Sequence, residues 1–278
     1  MTIVVTGATG HLGRHVVESL LARGVPAAEI VATGRQVEKI ADLGVTTKVA
    51  PFEDFEALKA AFAGADAVLL VSGSEVGKRV EQHANAIRAA KEAGVGRIVY
   101  TSAPKADTTE MKLAAEHKAT EELLAESGVP YTVLRNSWYI ENYPLVQGVE
   151  HGLFGASGDG RISASPRADY AEAAASALIG DGHAGKVYEL GGEAFTMAEL
   201  AAEVSRQSGR DVSYTDLGPE KYAEFLVGVG LDPAHAAVLA DSDAAASRGA
   251  LFVPKTDLEN LLGRPATPLA ESVAAALR

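Results

Sequence analysis

Thr2-Ile3-Val4-Val5-Thr6-Gly7-Ala8-Thr9-Gly10-His11-Leu12-Gly13 is the stretch that decides the fold of this 278-residue chain. Its first five residues are all β-branched, which suits a strand buried on both faces. Three glycines follow at a spacing of three. Leu12, Val16, Val17, Leu20 and Leu21 then recur at helical spacing until Gly24 closes the pattern. Strand, glycine loop and helix in that order form a dinucleotide-binding turn. Gly7 permits the tight exit from the strand, Gly10 lets the backbone approach a pyrophosphate, and Gly13 lets the helix pack close to the sheet. The anion then meets free N–H groups and the positive end of the helix dipole. Gly7, Thr9, Gly10, His11, Leu12 and Gly13 are the cofactor-binding residues read from this segment.

Outward from this turn, strands and helices alternate. Residues 30–33 and 45–49 predict the second and third strands, 67–71 and 97–101 the fourth and fifth, and 131–134 the sixth. Helical patterns over 38–43, 55–62, 76–93 and 111–127 lie between them. The alternation implies βαβ crossovers, and hence an α/β protein with a Rossmann-type doubly wound parallel sheet that binds ligands at the carboxyl ends of its strands. After Arg135 the rhythm breaks. A Gly-, Pro- and Ala-rich segment over 148–166 precedes a short strand at 187–190, then helical patterns at 197–208, 221–229, 234–240 and 269–277. Residues 1–135 are therefore expected to form the NAD(P)-binding domain, and 136–278 a smaller C-terminal α/β substrate lobe sharing a core with it.

Composition narrows the function. The formal net charge is -12 with no long basic run, which argues against nucleic acid as a partner. With no cysteine, thiolate catalysis and Cys-ligated metals are excluded, and the seven histidines form no HExxH motif, so no metal site is expected. The first strand begins at Thr2 and no apolar run is long enough to span a bilayer, so the expectation is a cytoplasmic protein with no membrane partner.

Cofactor choice is read at the end of the second strand, where NAD sites place an acid and NADP sites a cation. This strand ends Ala32-Thr33-Gly34-Arg35, with no acid before Glu38. The planar fork of Arg35 suits a 2′-phosphate, so NADPH is the expected cofactor.

The Thr6–Gly13 loop, Tyr100-Thr101-Ser102 after the fifth strand, and the segments 129–143, 167–170, 185–190 and 239–243 together resemble the NmrA-like atypical short-chain dehydrogenases. Within that family the likeness is to the bacterial NADPH-dependent quinone oxidoreductases, and it covers essentially the whole chain. The resemblance implies flavin-free hydride transfer from NADPH to a quinone; related members reduce triphenylmethane dyes, and the NmrA regulator itself is a non-enzymatic redox sensor. Relatives carry an acid and then an aromatic after the third strand, whereas this chain reads Pro51-Phe52, keeping only the aromatic for the adenine site.

Ordinary short-chain dehydrogenases use a serine after the fifth strand and a Tyr-x-x-x-Lys pair. Ser102 fills the serine position and Lys118 the lysine position, but Ala114 stands where the tyrosine would be. Simple ketones, whose alkoxide products need a proton donor, are thereby disfavoured. Hydride addition to a quinone instead gives a delocalised phenolate-like anion with pKa near ~10 by analogy with tyrosine. His117, Lys118 and Tyr139 are the candidates for a catalytic role. His117 shares a stripe with Leu113, Thr120 and Leu124, a pattern that fits a core histidine or a substrate contact; Lys118 fits a ribose contact or a solvated helix position. Ser72, Gly73 and Ser74 after the fourth strand, Thr101, and Asn136 after the sixth are expected beside the cofactor. Trp138, Tyr139 and Tyr143 are expected to hold a flat electron acceptor by stacking.

Overall fold

A computed structural model describes residues 1–278. Its centre is a seven-stranded, all-parallel sheet built from β1 (Ile3–Val5), β2 (Ile30–Gly34), β3 (Thr46–Val49), β4 (Ala67–Leu70), β5 (Arg97–Ser102), β6 (Tyr131–Asn136) and, after a small strand β7 (Leu153–Gly155) outside the sheet, β8 (Val187–Leu190). Their spatial order is β3-β2-β1-β4-β5-β6-β8. The order reverses between β1 and β4, and this switch point opens the crevice in which doubly wound sheets bind ligands.

Successive residues of a buried strand serve opposite faces. Ile3 and Val5 join a core with Val16 and Leu20 of α1 (His11–Ala22), while Val4 joins a second core with Phe62, Leu70, Tyr100 and Leu124. That second face is covered by α2 (Phe55–Phe62), α3 (Arg79–Glu92) and α4 (Lys112–Ser127). The predicted helix over 38–43 is a 3-10 segment, Val37–Leu43, broken at Ile40.

The division at residue 135 differs from the structure in two ways. β8 pairs with β6 in parallel register, Val133 against Val187 and Asn136 against Leu190, so a strand expected in the substrate lobe is the sheet's seventh. Two helices in between, α5 (Leu145–His151) and α6 (Arg167–Ile179), have no counterpart in the periodic reading, and α6 packs against α1. Tyr170, Ala171, Ala174 and Leu178 of α6 are fully buried in the same core as Ile3 and Leu20. Alanine provides little apolar contrast along a helix, so its periodicity is faint; the same small side chains let two helices approach closely.

The remaining helices are α7 (Met197–Ser208), α8 (Gly218–Gly228), α9 (Pro233–Ser247), α10 (Thr256–Leu262) and α11 (Leu269–Ala276), with β9 (Tyr214–Asp216) pairing to β7. A third core joins Ile140, Leu153 and Ile162 to Leu200, Val204 and Leu251, forming the lobe beside the sheet. No helix is long and apolar enough to cross a membrane.

Candidate active site

A cleft of about 820 Å³ runs along the carboxyl ends of the strands. Its floor is the glycine loop. Gly7 has φ +59°, the left-handed region that glycine adopts without strain. A Cβ on Gly13 would stand 2.4 Å from the Gly7 carbonyl oxygen and 2.8 Å from Ala8 Cα, so only a glycine lets α1 seat this close to the loop. Gly10 caps α1 in extended geometry with no side-chain hydrogen bond, leaving the first amides of the helix to an outside acceptor. Thr9 is wedged against Gly34, where a Cβ would meet its side chain at 2.8 Å.

At one end of the cleft Arg35 is exposed and donates to Glu75 Oε1 at 3.0 Å, across from the lip of β2 to the lip of β4. Gln36 and Lys39 line the same end. Phe52 packs edge-on against His83, its ring centroid 5.8 Å away. The acid missing at the position before Phe52 is followed by Glu53, which lines the cleft and accepts from Gln82 Nε2 at 2.7 Å.

The loop after β4 is clamped from behind. Arg79 Nε donates to the Gly73 carbonyl at 2.9 Å, and the Gly73 amide donates to His83 Nε2 at 3.0 Å. The Ser72 amide donates to Thr101 Oγ1 at 2.9 Å. Since His83 Nε2 accepts, its Nδ1 carries the proton and donates to Thr120 Oγ1 at 3.0 Å. Burial pushes the His83 imidazole down to about 3, with the nearby Arg79 charge adding to the effect, so it stays neutral.

At the other end, Asn136 Nδ2 donates to Tyr139 Oη at 3.2 Å, while Asn136 Oδ1 is buried without a partner although the residue lines the cleft. Tyr139 lies edge-on to Tyr170 with Arg167 over its ring at 4.7 Å. Burial raises the Tyr139 phenol above its ordinary range. Trp138, Met111, Leu113, Val238 and Leu239 add an apolar wall. His117 lines the cleft, buried, with Nδ1 2.7 Å from Tyr100 Oη.

Of the candidate residues, Gly7, Thr9, Gly10, His11, Leu12, Gly13, Arg35, Phe52, Ser72, Gly73, Ser74, Asn136, Trp138, Tyr139 and His117 share this one cleft. Three sit elsewhere. Lys118 is exposed on the face of α4 turned from the cleft, one position off the stripe of Ala114, His117 and Thr120. Thr101 is buried behind the cleft and holds the Ser72 amide. Tyr143 packs on Phe195 in the lobe core, its hydroxyl buried without a partner. His235, Val238 and Leu239 escaped the sequence reading, although their three- and four-residue spacing marks one face of α9; Arg79 and Gln82 escaped it because nothing local marks a buried polar side chain. No group of His, Asp and Glu is placed to hold a metal ion.

The residues present fit a dinucleotide: a cradle that a Cβ at Gly13 would fill, an uncapped helix start, and an orphaned amide oxygen at Asn136. Fold and cleft together define a Rossmann-type dinucleotide-binding protein with an aromatic and apolar pocket beside the cofactor groove. A family model described as NAD(P)H-binding matches residues 7–180. The chain is 50% identical to quinone oxidoreductase 2 of Escherichia coli (strain K12), over 98% of this chain and 97% of that one. It belongs to this NAD(P)H-binding family, in the group that contains the Escherichia coli enzyme. The crystal structure of the NADPH-dependent quinone oxidoreductase QOR2 from Escherichia coli, complexed with NADPH, matches with a TM-score of 0.96 at 48% identity over 100% of both chains. Triphenylmethane reductase of Citrobacter sp. complexed with NADP(H) matches with a TM-score of 0.92 at 37% identity, over 99% of this chain and 100% of that one. An NmrA-like family domain-containing oxidoreductase of Aspergillus flavus is 30% identical over 81% of this chain and 77% of its own.

Proposed function

We propose that this chain is a flavin-free, NADPH-dependent quinone oxidoreductase. The observation that carries the reading is the pairing of a dinucleotide cradle with a pocket that lacks the usual proton donors. Ala114 stands at the tyrosine position, and the Ser102 hydroxyl donates to Glu121 at 2.6 Å. Such a pocket suits an acceptor whose reduced form is a delocalised anion, and a quinone is one. The likeness to the Escherichia coli enzyme supports the same substrate class.

In this reading the Gly7–Gly13 loop and the start of α1 hold the pyrophosphate, and Arg35, with Lys39 beside it, holds the 2′-phosphate. Phe52 flanks the adenine, and Ser72, Gly73 and Ser74 run beside the ribose and nicotinamide. Asn136 Oδ1 accepts from the cofactor's nicotinamide end, which satisfies the orphaned oxygen. NADPH supplies the hydride. Trp138 and Tyr139, together with Leu113, Val238 and Leu239, hold the flat acceptor and exclude water. The cytoplasm is the compartment this reading assigns.

A dye reductase is the second reading, favoured by the 37% identity to triphenylmethane reductase and by the same apolar wall. The test is NADPH absorbance with a panel of benzoquinones, naphthoquinones and a triphenylmethane dye, each with a protein-free control. Oxidation that depends on protein and on quinone is expected. Oxidation with the dye alone establishes the second reading; none with any acceptor overturns both and leaves a dinucleotide-binding sensor.

A further inference from the structure

Hydride transfer to a quinone leaves one oxygen carrying negative charge. The balance is quinone + NADPH + H⁺ giving hydroquinone + NADP⁺: two electrons and a hydrogen move as hydride, the nicotinamide is oxidised, the quinone is reduced, and one proton must come from elsewhere. Of the residues assigned so far only Tyr139, whose oxygen accepts from Asn136 and whose own proton has no acceptor, could donate to that oxygen.

The second face of the sheet carries a buried chain of side chains that ends in the cleft. Thr120 Oγ1 receives the proton of His83 Nδ1 and donates its own to the Glu116 carbonyl at 2.9 Å. Tyr100 is fully buried, with its hydroxyl 2.7 Å from His117 Nδ1 and within reach of the Thr120 hydroxyl as well. Thr120 Oγ1 already accepts from His83 and donates to the Glu116 carbonyl, so the buried phenol proton is assigned to the shorter contact: Tyr100 donates and Nδ1 accepts. The His117 proton then sits on Nε2. With Nδ1 turned inward to Tyr100, the Nε2 edge is the polar edge that His117 offers to the cleft it lines.

We propose that His117 Nε2–H donates a hydrogen bond to the carbonyl oxygen of the acceptor and stabilises the anion formed there, with Tyr100 as the positioning residue that fixes the tautomer. This inference rests on the quinone reading above.

The same geometry makes His117 a hydrogen-bond donor and not a proton donor. Were Nε2 to release its proton, Nδ1 would have to take one from Tyr100, and burial holds that phenol protonated well above its ordinary range. The charged and titratable groups around the pair are Arg79 and His83 from α3 and Glu116 and Glu121 from α4; burial first, then Arg79 and His83, keep the imidazole neutral. The hydroquinone anion therefore takes its proton from water after hydride transfer.

Two measurements test this on the full-length protein. Long-range ¹H–¹⁵N correlation spectra, assigned with His117→Gln, read the tautomer directly. The expected result is a neutral ring protonated at Nε2, and a ring protonated at Nδ1 overturns the proposal whether or not quinones are substrates. Kinetics then separate donor from scaffold. His117→Leu is expected to lower kcat by about 100- to 1000-fold, in line with the loss of one preorganised oxyanion donor, while the Kd for NADPH changes less than about twofold. The loss should grow along a series of quinones whose hydroquinones are increasingly basic, and His117→Gln, which keeps an N–H, should recover most of it. A loss equal for all quinones, with no recovery in His117→Gln, overturns the proposal. Wild-type protein inactive with every quinone overturns the functional reading instead, and the tautomer still decides the proton's place.

Discussion

The hydroxyl of Ser102 donates to Glu121 Oε1 at 2.6 Å, inside an ion-pair cluster centred on Arg135. Arg135 is buried and pairs with Glu121 at 2.6 Å, Asp107 at 2.8 Å and Glu189 at 3.0 Å. The serine that an ordinary short-chain dehydrogenase turns toward its substrate lines the cleft here too, but its hydroxyl is engaged by the scaffold between β5, β6 and α4. Ser102→Ala is therefore expected to leave kcat for quinones within about twofold while costing about 1 kcal/mol of stability, the usual worth of one hydrogen bond. Steady-state kinetics and urea unfolding check both; a large fall in kcat with unchanged stability would return Ser102 to the chemistry.

Arg35 sets cofactor preference in this reading, and its pair with Glu75 modulates it. Arg35→Asp removes a charge-assisted contact worth about 1.5–3 kcal/mol, so NADPH should bind roughly 10- to 100-fold more weakly, with NADH little changed. Glu75→Gln frees the guanidinium and removes a carboxylate near the 2′-phosphate, so NADPH should bind more tightly and with a steeper salt dependence. Titration of cofactor fluorescence reads both, and equal dissociation constants for the two cofactors in wild type would sink the assignment.

Gly13→Ala places a methyl group 2.4 Å from the Gly7 carbonyl oxygen. Backbone on both sides cannot yield cheaply, so the loop must shift. A destabilisation of about 1–3 kcal/mol, typical of overpacking, is expected together with loss of cofactor binding. Thermal unfolding with and without NADPH checks it: the variant should show little or no cofactor-induced rise in Tm.

Tyr143 belongs to the lobe core, its hydroxyl buried and without a partner. Tyr143→Phe deletes an unsatisfied polar group at no cost in packing, so stability should be unchanged or raised by up to about 1–3 kcal/mol, with kcat and KM for quinones unaltered. A rise in KM would place the Tyr143 hydroxyl at the acceptor after all.

Asp243 gives a pH signature. It accepts from the Ala156 amide at 2.5 Å, yet burial raises its carboxyl from the usual range to about 6. A carboxyl raised in the folded state holds its proton there while the unfolded chain has already released it. Stability is therefore lost as pH climbs from about 4 to about 6, by at most roughly 3 kcal/mol, and is not regained above. Asp243→Asn should raise Tm by a few degrees at pH 7–8 and by almost nothing below about pH 4. A Tm difference independent of pH would contradict this account.

Much of the frame was legible in the sequence because its signals are local. β-Branched runs with no polar face mark strands covered on both sides, and three glycines at their spacing mark a loop where side chains do not fit. Arg35 in place of an acid needed only its position after β2. NADPH is therefore legible in the sequence alone, as is the absence of the phenolic acid at Ala114.

Tertiary structure decided whatever depends on partners distant in the chain. Val187–Leu190 reads alike as a lobe strand or a sheet edge until Val133–Asn136 is laid beside it. The alanines of α6 give no periodic contrast, and only α1 packed against them shows which face is buried. Lys118 and His117 are neighbours in sequence, but helix geometry turns one to solvent and the other to Tyr100 and the cleft. The direction of a single proton, from Ser102 to Glu121 or from Tyr100 to His117, is set by which acceptors the fold buries beside it, and no local pattern of residues records that.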